Sequence, residues 1–350
     1  MDKFIEIDGT KIGPNYKPYI IAELSANHNG DLNRAYEIME AAVNAGASAI
    51  KLQSYTHETI TIESSEEDFM VRGGLWDGMS LYELYKGAHL PWDWHKLLFE
   101  KAKELGITIF SSPFDFTAVD MLEELNAPAY KIASFELVDH PLIARVAQTG
   151  KPMIMSTGMA NEIEIQEAID VAKTNGCDQL IVLHCVSGYP APADQYNLKT
   201  IKDMQSRFKV LVGLSDHTID NATAVTSVAL GACLIEKHVT LDRNGGGPDD
   251  SFSLEPQELM QLVKDTKTAW ESLGNVNYEK TEAEKGNVKF RRSLYFVKNG
   301  KKNEKITKDM VRSIRPGFGL PPKNYDDIIG KTLKKDVFVG DATSNENINL

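Results

Sequence analysis

Short apolar runs recur along the chain at about 18–23 (PYIIAE), 48–52 (SAIKL), 107–110 (ITIF), 129–132 (AYKI), 152–155 (PMIM), 180–184 (LIVLH), 209–213 (KVLVG) and 232–236 (ACLIE). They are near-continuous rather than alternating, the pattern of strands covered on both faces. Between them the period changes. LNRAYEIMEAAVNAGA, WHKLLFEKAKELG, AVDMLEELN, LIARVAQTG, EIEIQEAIDVAKTNG and NATAVTSVALGA place apolar residues at i, i+3, i+4 and i+7. Most of these end in Gly or Gly-Ala, as a helix C-cap does. Eight buried strands alternating with helices predict a parallel sheet closed into an α/β fold of the (β/α)8 TIM-barrel type. An open doubly wound sheet competes, but it calls for a GxGxxG turn after the first strand, where this chain reads AELSANHNG.

Two segments break the rhythm. Residues 54–91, including GGLWDGMSLYELYKG, are too long for an ordinary strand-to-helix connection, and in a barrel such an insertion hangs over the active face. After a helix at about 256–273, the stretch NVNYEKTEAEKGNVK is polar and uncapped. The expected layout is therefore a barrel over 1–275, a linker over 276–288 and a compact domain over 289–350, small enough to lean on a partner.

Composition narrows the class. A chain of 350 residues with 42% hydrophobic and 25% charged residues is long enough for a large core. No apolar run approaches the roughly 18 residues of a bilayer span. The N-terminus MDKFIEIDGTKIG lacks an apolar signal region, so the cytoplasm is the expected location. Cys177, Cys185 and Cys233 lack CxxC spacing and read as buried thiols. Residues 286–350 hold 14 Lys/Arg against 7 Asp/Glu, a balance of +7 that leaves −19 on the preceding residues, since the total is −12. An acidic chain is poor material for a nucleic-acid binder, whereas a basic tail can dock on an acidic neighbour.

Candidate chemistry gathers where barrel enzymes keep it, at the strand ends. His217 and His238 stand just past two neighbouring strands, so their imidazoles could converge on one ion. Glu23 and Asn27 follow the first strand, Ser112 the third, Ser134 the fourth, Ser156 the fifth, Ser187 and Tyr189 the sixth, and Ser215 the seventh, while Gln53 sits at the second. Lys51 and Lys131 lie inside apolar strands, where an ammonium group is costly unless it is paired or binds an anion. Two lysines with several hydroxyls suit a small ligand carrying phosphate and carboxylate, and two neutral imidazoles leave a divalent ion open positions for a carbonyl.

IAELSANHNG, KLQSYT, FSSPFD, YKIASFE, MSTGM, GLSDHT and EKHVTLD, in this order, resemble the sialic acid synthase family, which condenses phosphoenolpyruvate with an N-acylated amino sugar. RRSLY and IRPGFG resemble that family's C-terminal antifreeze-like (SAF) domain. Within the family, AELSANH, GGLWDGMSLYELY and RPGFGL are more similar to pseudaminic acid synthases than to N-acetylneuraminate synthases.

The resemblance implies a set of roles. His217 and His238 would bind a divalent ion, Mn2+ first, with Mg2+ or Co2+ as alternatives. Lys51, Ser112, Lys131, Ser134, Ser156, Ser187 and Ser215 would hold phosphoenolpyruvate, although Ser187 stands where N-acetylneuraminate synthases tend to carry Asn. Glu23 would handle protons or order the attacking water, and Asn27, Gln53, Tyr189 and Arg315 would meet the sugar. The region of Leu75, Trp76, Leu81, Tyr82 and Tyr85 would supply a less polar wall suited to a 6-deoxy sugar. A domain-swapped homodimer is implied, with the SAF domain of one chain over the barrel mouth of the other. The alternatives are the same chemistry giving N-acetylneuraminate or legionaminate, a metal-dependent aldolase acting on pyruvate, and a non-catalytic sugar- or anion-binding barrel.

Overall fold

The computed structural model describes residues 3–74 and 76–350; Leu75, expected beside the sugar, lies outside them. The chain divides into two compact units, Met1–Gly274 and Asn275–Leu350. The first opens with an antiparallel hairpin, β1 (Ile5–Ile7) and β2 (Thr10–Ile12). Then come β3 (Tyr19–Glu23), α1 (Leu32–Ala45), β4 (Ala49–Ser54), the short α2 (His57–Ile60), α3 (Leu81–Ala88), α4 (Trp94–Leu105), β5 (Thr108–Pro113), α5 (Phe116–Glu124) and β6 (Tyr130–Ile132). The series continues through α6 (His140–Ala147), β7 (Met153–Ser156), α7 (Glu162–Thr174), β8 (Leu180–Cys185), α8 (Lys199–Phe208), β9 (Leu211–Ser215), α9 (Ala222–Ala229), β10 (Leu234–His238) and α10 (Pro256–Leu273). Strands β3 to β10 form a closed parallel barrel, with β10 pairing back onto β3. This is the TIM barrel expected from the pattern.

Strand alternation splits the apolar residues into two layers. Ile20, Ile50, Met153, Val182, Val212 and Ile235 face the helices, meeting stripes such as Ile38, Met39 and Ala42 of α1. Tyr19, Ile21, Phe110, Ile154, Ile181, Leu183, Leu211 and Leu234 fill the barrel's lower interior, closed from below by Ile5, Ile7 and Ile12 of the hairpin. Periodicity missed this hairpin because its strands are only three residues long. It also passed over α8, whose Ile201, Met204 and Phe208 are buried. The last two strands run about two residues further than the apolar runs suggest, so His238 ends β10 instead of following it. They continue through polar residues because the barrel's upper interior, unlike its floor, is polar.

In the second unit, α11 (Glu282–Lys285) precedes the antiparallel pair β11 (Ser293–Phe296) and β12 (Val311–Ile314), and α12 (Tyr325–Ile328) follows. Leu294, Phe296, Ile306, Met310, Val311, Ile328, Leu333, Val337 and Ile348 make its own small core.

Gly213 of β9 shows how tightly the barrel is filled, because a Cβ there would lie 2.4 Å from the Leu234 carbonyl oxygen and 2.6 Å from Leu183 Cδ2. Gly213→Ala is expected to lower stability by about 1–3 kcal/mol through overpacking. Chemical denaturation checks this, and an unchanged midpoint would show that the wall gives way freely.

Candidate active site

The polar upper end of the barrel is built on one row of residues. Register pairs His238 of β10 with Glu23 of β3, and Glu23 with Lys51 of β4. Lys51 Nζ lies 2.5 Å from Glu23 Oε2 and 3.5 Å from Glu236 Oε1, and Lys131 Nζ lies 3.8 Å from that same Glu236 oxygen. All four side chains are buried. The lysines that look unpaired in the sequence thus balance two carboxylates, which offsets part of the desolvation cost of burying them.

The two carboxylates are driven apart. Burial and the neighbouring Glu236 push the Glu23 carboxyl above its ordinary range despite Lys51. Burial acts on Glu236 as well, but Lys131, Lys51 and His217 outweigh it and hold this carboxyl low. Such a split between adjacent acids separates a group able to carry a proton from one that stays ionised.

Hydroxyls surround this cluster. Ser112 Oγ lies 3.3 Å from Lys51 Nζ, and Ser215 Oγ lies 3.5 Å from Glu236 Oε1. Ser156 Oγ is buried without a hydrogen-bond partner, the state of a donor kept for a ligand. The Gly158 backbone N–H donates to Ser134 Oγ at 3.1 Å, and a Cβ on Gly158 would sit 2.0 Å from Ser187 Oγ and 2.8 Å from Ser134 Oγ. Only glycine leaves these two hydroxyls room to converge. The seven residues expected at phosphoenolpyruvate therefore comprise Lys51 and Ser112 in contact, Lys131 and Ser215 on Glu236, Ser134 with Ser187, and the unpartnered Ser156.

The two imidazoles do converge. Their ring centroids are 5.5 Å apart. His217 Nδ1 donates to the Val186 carbonyl at 2.9 Å, because a carbonyl can only accept, which makes Nε2 the nitrogen for an ion once its proton is lost; although burial opposes it, Cys185 and the Val186 carbonyl hold this imidazole above its ordinary pKa. Burial, aided by His217 and the nearby lysines, holds His238 well below its ordinary pKa, so it stays neutral, and its Nδ1 is a buried atom without a partner. Among the described residues no group of three or more His, Cys, Asp or Glu side chains forms a metal cage. Two imidazoles are a donor set that suits a divalent ion, and they would leave the rest of its shell to small molecules. Asp249 Oδ2, 4.0 Å from His238 Nδ1, stands just outside it. Cys185 Sγ, 4.0 Å from His217 Nδ1, brings a buried thiol into the site that sequence reasoning left aside.

Beside the histidines lies a cavity of about 360 Å³. Gln53, Glu136, Tyr189, His238 and Asp249 supply its polar lining; Tyr55, Ile60, Trp76, Leu84, Tyr85 and Phe114 supply an apolar wall. Tyr55 meets Tyr85 and Phe114 edge-on at centroid distances of 5.6 and 5.1 Å. Tyr189 lies against His217 at 4.4 Å. Gln53 Nε2 donates to Glu23 Oε1 and Ser25 Oγ, both at 3.2 Å, and Ser25 in turn bonds Asp249. A polar chain thus runs from Lys51 to the edge of the histidine pair. A larger groove of about 780 Å³ opens at the opposite end of the barrel and contains none of these groups.

Some expectations change. Asn27 is not among the residues of the cavity wall; both hydrogens of its buried amide go to the Val239 carbonyl at 2.9 Å and Ser253 Oγ at 2.8 Å, locking two loops together, while its Oδ1 is buried without a hydrogen-bond partner. Leu81 and Tyr82 also miss the wall, Tyr82 packing on His57 instead. Arg315 belongs to the second unit, just after β12. Sequence reasoning gave no role to Glu136 and Glu236 and missed Asp249, Tyr55 and Phe114. Asp249 was readable as an acid in the Gly-rich loop after the last strand, whereas Tyr55 and Phe114 resemble ordinary core residues.

Known proteins resemble this chain over almost its whole length. Residues 38–278 match the NeuB family and residues 291–342 match the SAF domain. A pseudaminic acid synthase of Campylobacter jejuni is 44% identical over 93% of this chain and 95% of its own, and one from Helicobacter pylori is 40% identical over 95% and 98%. The crystal structure of an N-acetylneuraminic acid (sialic acid) synthetase from Leptospira borgpetersenii, in complex with citrate, superposes with a TM-score of 0.73 at 34% identity, covering 82% of this chain and 96% of that one.

Glu136 gives this site a pH signature. Its Oε2 is buried and unpartnered, and burial pushes the carboxyl up to about 7 from an ordinary 4.5. A raised folded-state value means that the fold favours the neutral acid, so stability falls as pH rises from 4.5 towards 7 and stays lowered above that. Glu136→Gln is expected to flatten this slope and to gain up to about 3 kcal/mol relative to the parent at pH 8. Denaturation at pH 5 and pH 8 checks it, with parallel slopes as the contrary result.

Proposed function

We infer, from the premise that this chain belongs to the NeuB family and ends in a SAF domain, that it catalyses the pseudaminic acid synthase reaction. Phosphoenolpyruvate and 2,4-diacetamido-2,4,6-trideoxy-L-altrose condense with water to give pseudaminic acid and phosphate. The observation that carries this reading is the buried Glu23–Lys51–Glu236–Lys131 cluster opening beside the imidazole pair. A pyruvate aldolase would have no use for so many anion-binding groups, and a purely binding protein would have no reason to bury four charges against one another.

Phosphoenolpyruvate is assigned to Lys51 and Lys131, with Ser112, Ser134, Ser156, Ser187 and Ser215 donating to its phosphate and carboxylate oxygens. The sugar is assigned to the adjoining cavity, between Gln53 and Tyr189 on the polar side and Tyr55, Leu84, Tyr85 and Phe114 on the apolar side. His217 and His238 would hold a divalent ion, Mn2+ first, and such an ion supplies Lewis-acid polarisation of the aldehyde oxygen. With both substrates held in place, C3 of phosphoenolpyruvate bonds to the aldehyde carbon, whose oxygen takes up a proton. Water adds at C2 and loses a proton, and in the resulting phosphate hemiketal the C2 hydroxyl becomes the ketone, its proton passing to the departing phosphate as the bond between C2 and the phosphate oxygen breaks. Glu23 has one oxygen on Lys51 and the other on Gln53, so it borders both substrates and is placed to order that water and take its proton.

The apolar wall favours a sugar whose C6 is a methyl group over the hydroxyl-bearing precursor of N-acetylneuraminate. Because phosphoenolpyruvate is a cytoplasmic metabolite, the reaction is placed in the cytoplasm; among the described residues no helix is long and apolar enough to cross a membrane. A domain-swapped homodimer is supported by the charge asymmetry between barrel and tail and by Phe116, Phe135, Val138, Met159 and Ile163, which leave apolar surface on the loops and first helical turns after β5, β6 and β7. In that assembly Arg315 of one chain would reach the sugar bound by the other.

A phosphate-release assay across three sugars tests the reaction. The trideoxy-altrose should exceed N-acetylmannosamine by about 10–200-fold in kcat/KM, the range open to one apolar group, and should also be turned over faster than the legionaminate precursor, which carries the same C6 methyl and differs in stereochemistry. Chelation should abolish turnover and Mn2+ restore it; equal turnover of all three sugars removes the sugar assignment, and activity that survives chelation removes the metal. Light scattering should give twice the chain mass of 38.9 kDa, with Arg315→Ala impairing turnover. A fully active monomer would rule out the swapped dimer.

A further inference from the structure

Each histidine of the pair is preceded by a charged residue that points the other way. Glu236 and His238 face the barrel interior, so the pleat of β10 turns Lys237 outward, towards the helices. The same alternation turns Asp216 outward between Ser215 and His217. The Asp216 backbone N–H donates to the Glu236 carbonyl at 2.9 Å, setting these two residues behind the two imidazoles. There they meet: Lys237 Nζ lies 2.9 Å from Asp216 Oδ2, and both side chains are sealed from solvent, at 1% and 0% exposure.

The ammonium group spends its remaining donors on the loop that carries His217, giving hydrogen bonds of 2.7 Å to the carbonyls of Thr218 and of Asp220. Asp216 Oδ1 accepts from the Thr218 backbone N–H at 2.9 Å and from the Thr218 hydroxyl at 2.8 Å. One cation from β10 thus staples the whole turn 216–220 of the neighbouring strand. A buried ion pair is weak evidence for stability, since apolar residues of similar volume often serve as well. What it supplies is fixed direction, through bonds that cannot be made in another arrangement.

We propose that Lys237 and Asp216 are positioning residues for the metal pair, an outer clamp that fixes His217 relative to His238 without touching substrate. The inference rests on the assignment of a divalent ion to those histidines. Support behind metal ligands commonly governs affinity for the ion by about 10–100-fold. The side chains of the clamp bond only to each other and to the turn 216–220, and none of their bonds goes to Lys51, Lys131 or Ser215, so the larger effect should fall on the ion and not on phosphoenolpyruvate.

The test compares two ligands on the full-length protein. Mn2+ is titrated and followed by the electron paramagnetic resonance of the free ion, and phosphoenolpyruvate is titrated calorimetrically without metal. D216N/K237M removes both charges at similar volume, and it is expected to weaken Mn2+ binding about 10–100-fold while changing the phosphoenolpyruvate Kd less than about twofold. An Mn2+ Kd within twofold of the parent, or equal weakening of both ligands, overturns the proposal. His238→Ala is the control: if Mn2+ binds it as tightly as the parent, the metal assignment fails, and this inference with it. Should D216N/K237M not fold, Thr218→Ala removes only the hydroxyl on Asp216 and is expected to weaken Mn2+ about threefold or more, again sparing phosphoenolpyruvate. Unchanged Mn2+ binding in that variant would equally overturn the proposal.

Discussion

Lys51 carries one positive charge into the interior of a closed barrel, and much of the site follows from what must neutralise it. Glu23 and Glu236 reach it from β3 and β10, and Glu236 in turn faces Lys131 from β6. Four strand ends are thereby committed to one electrostatic balance. Two cations and two anions in so small a volume are stable only if each remains in place, since removing any one leaves an uncompensated buried charge. The arrangement suits an anionic substrate, which can take over the lysines in exchange for the carboxylates.

The barrel makes such a cluster tolerable by separating it from the apolar core. Below, Phe110, Ile154, Leu183 and Leu234 fill the interior and the N-terminal hairpin closes it with Ile5, Ile7 and Ile12. Above, the same inward face changes to Glu, Lys, Ser and His as each strand reaches its carboxyl end. A floor that excludes water keeps the local dielectric low, which strengthens every interaction in the polar layer and explains why Glu23 and Glu236 are driven in opposite directions. The insertion between β4 and β5 then adds what the strands do not supply, an apolar wall of Leu84 and Tyr85 meeting Tyr55 and Phe114.

Behind the site, the outward face of the strands does different work. Lys237 and Asp216 hold the backbone on which the histidines stand, and Asn27 ties the loop after β3 to the loop after β10. Lys237 stands between Glu236 and His238, and the pleat of β10 alone sends it to the other side, whereas Asn27 is turned away in the loop beyond β3. Proximity along the chain is for this reason a poor guide to role at a strand end, as Asn27 illustrates beside Glu23.

The sequence by itself determined the barrel, its eight strands, the separate C-terminal unit and the class of chemistry. The barrel and its strands rest on local periodicity, the C-terminal unit on a polar break and a change of charge, and the class of chemistry on ordered motifs that resemble those of the sialic acid synthase family. It marked Lys51 and Lys131 as charges that are costly inside an apolar strand, and His217 and His238 by their place at two neighbouring strand ends. Only the tertiary structure decided which polar groups meet. Glu236 became the shared partner of two lysines, Tyr55 and Phe114 became a cavity wall, and Asp249 came within reach of His238. The hairpin plug, too, appeared only in three dimensions, because three-residue strands have too few positions to show a period. Barrel closure brings β10 beside β3 across more than two hundred residues of chain, and no local pattern encodes which charges that closure will set within a hydrogen bond's length of one another.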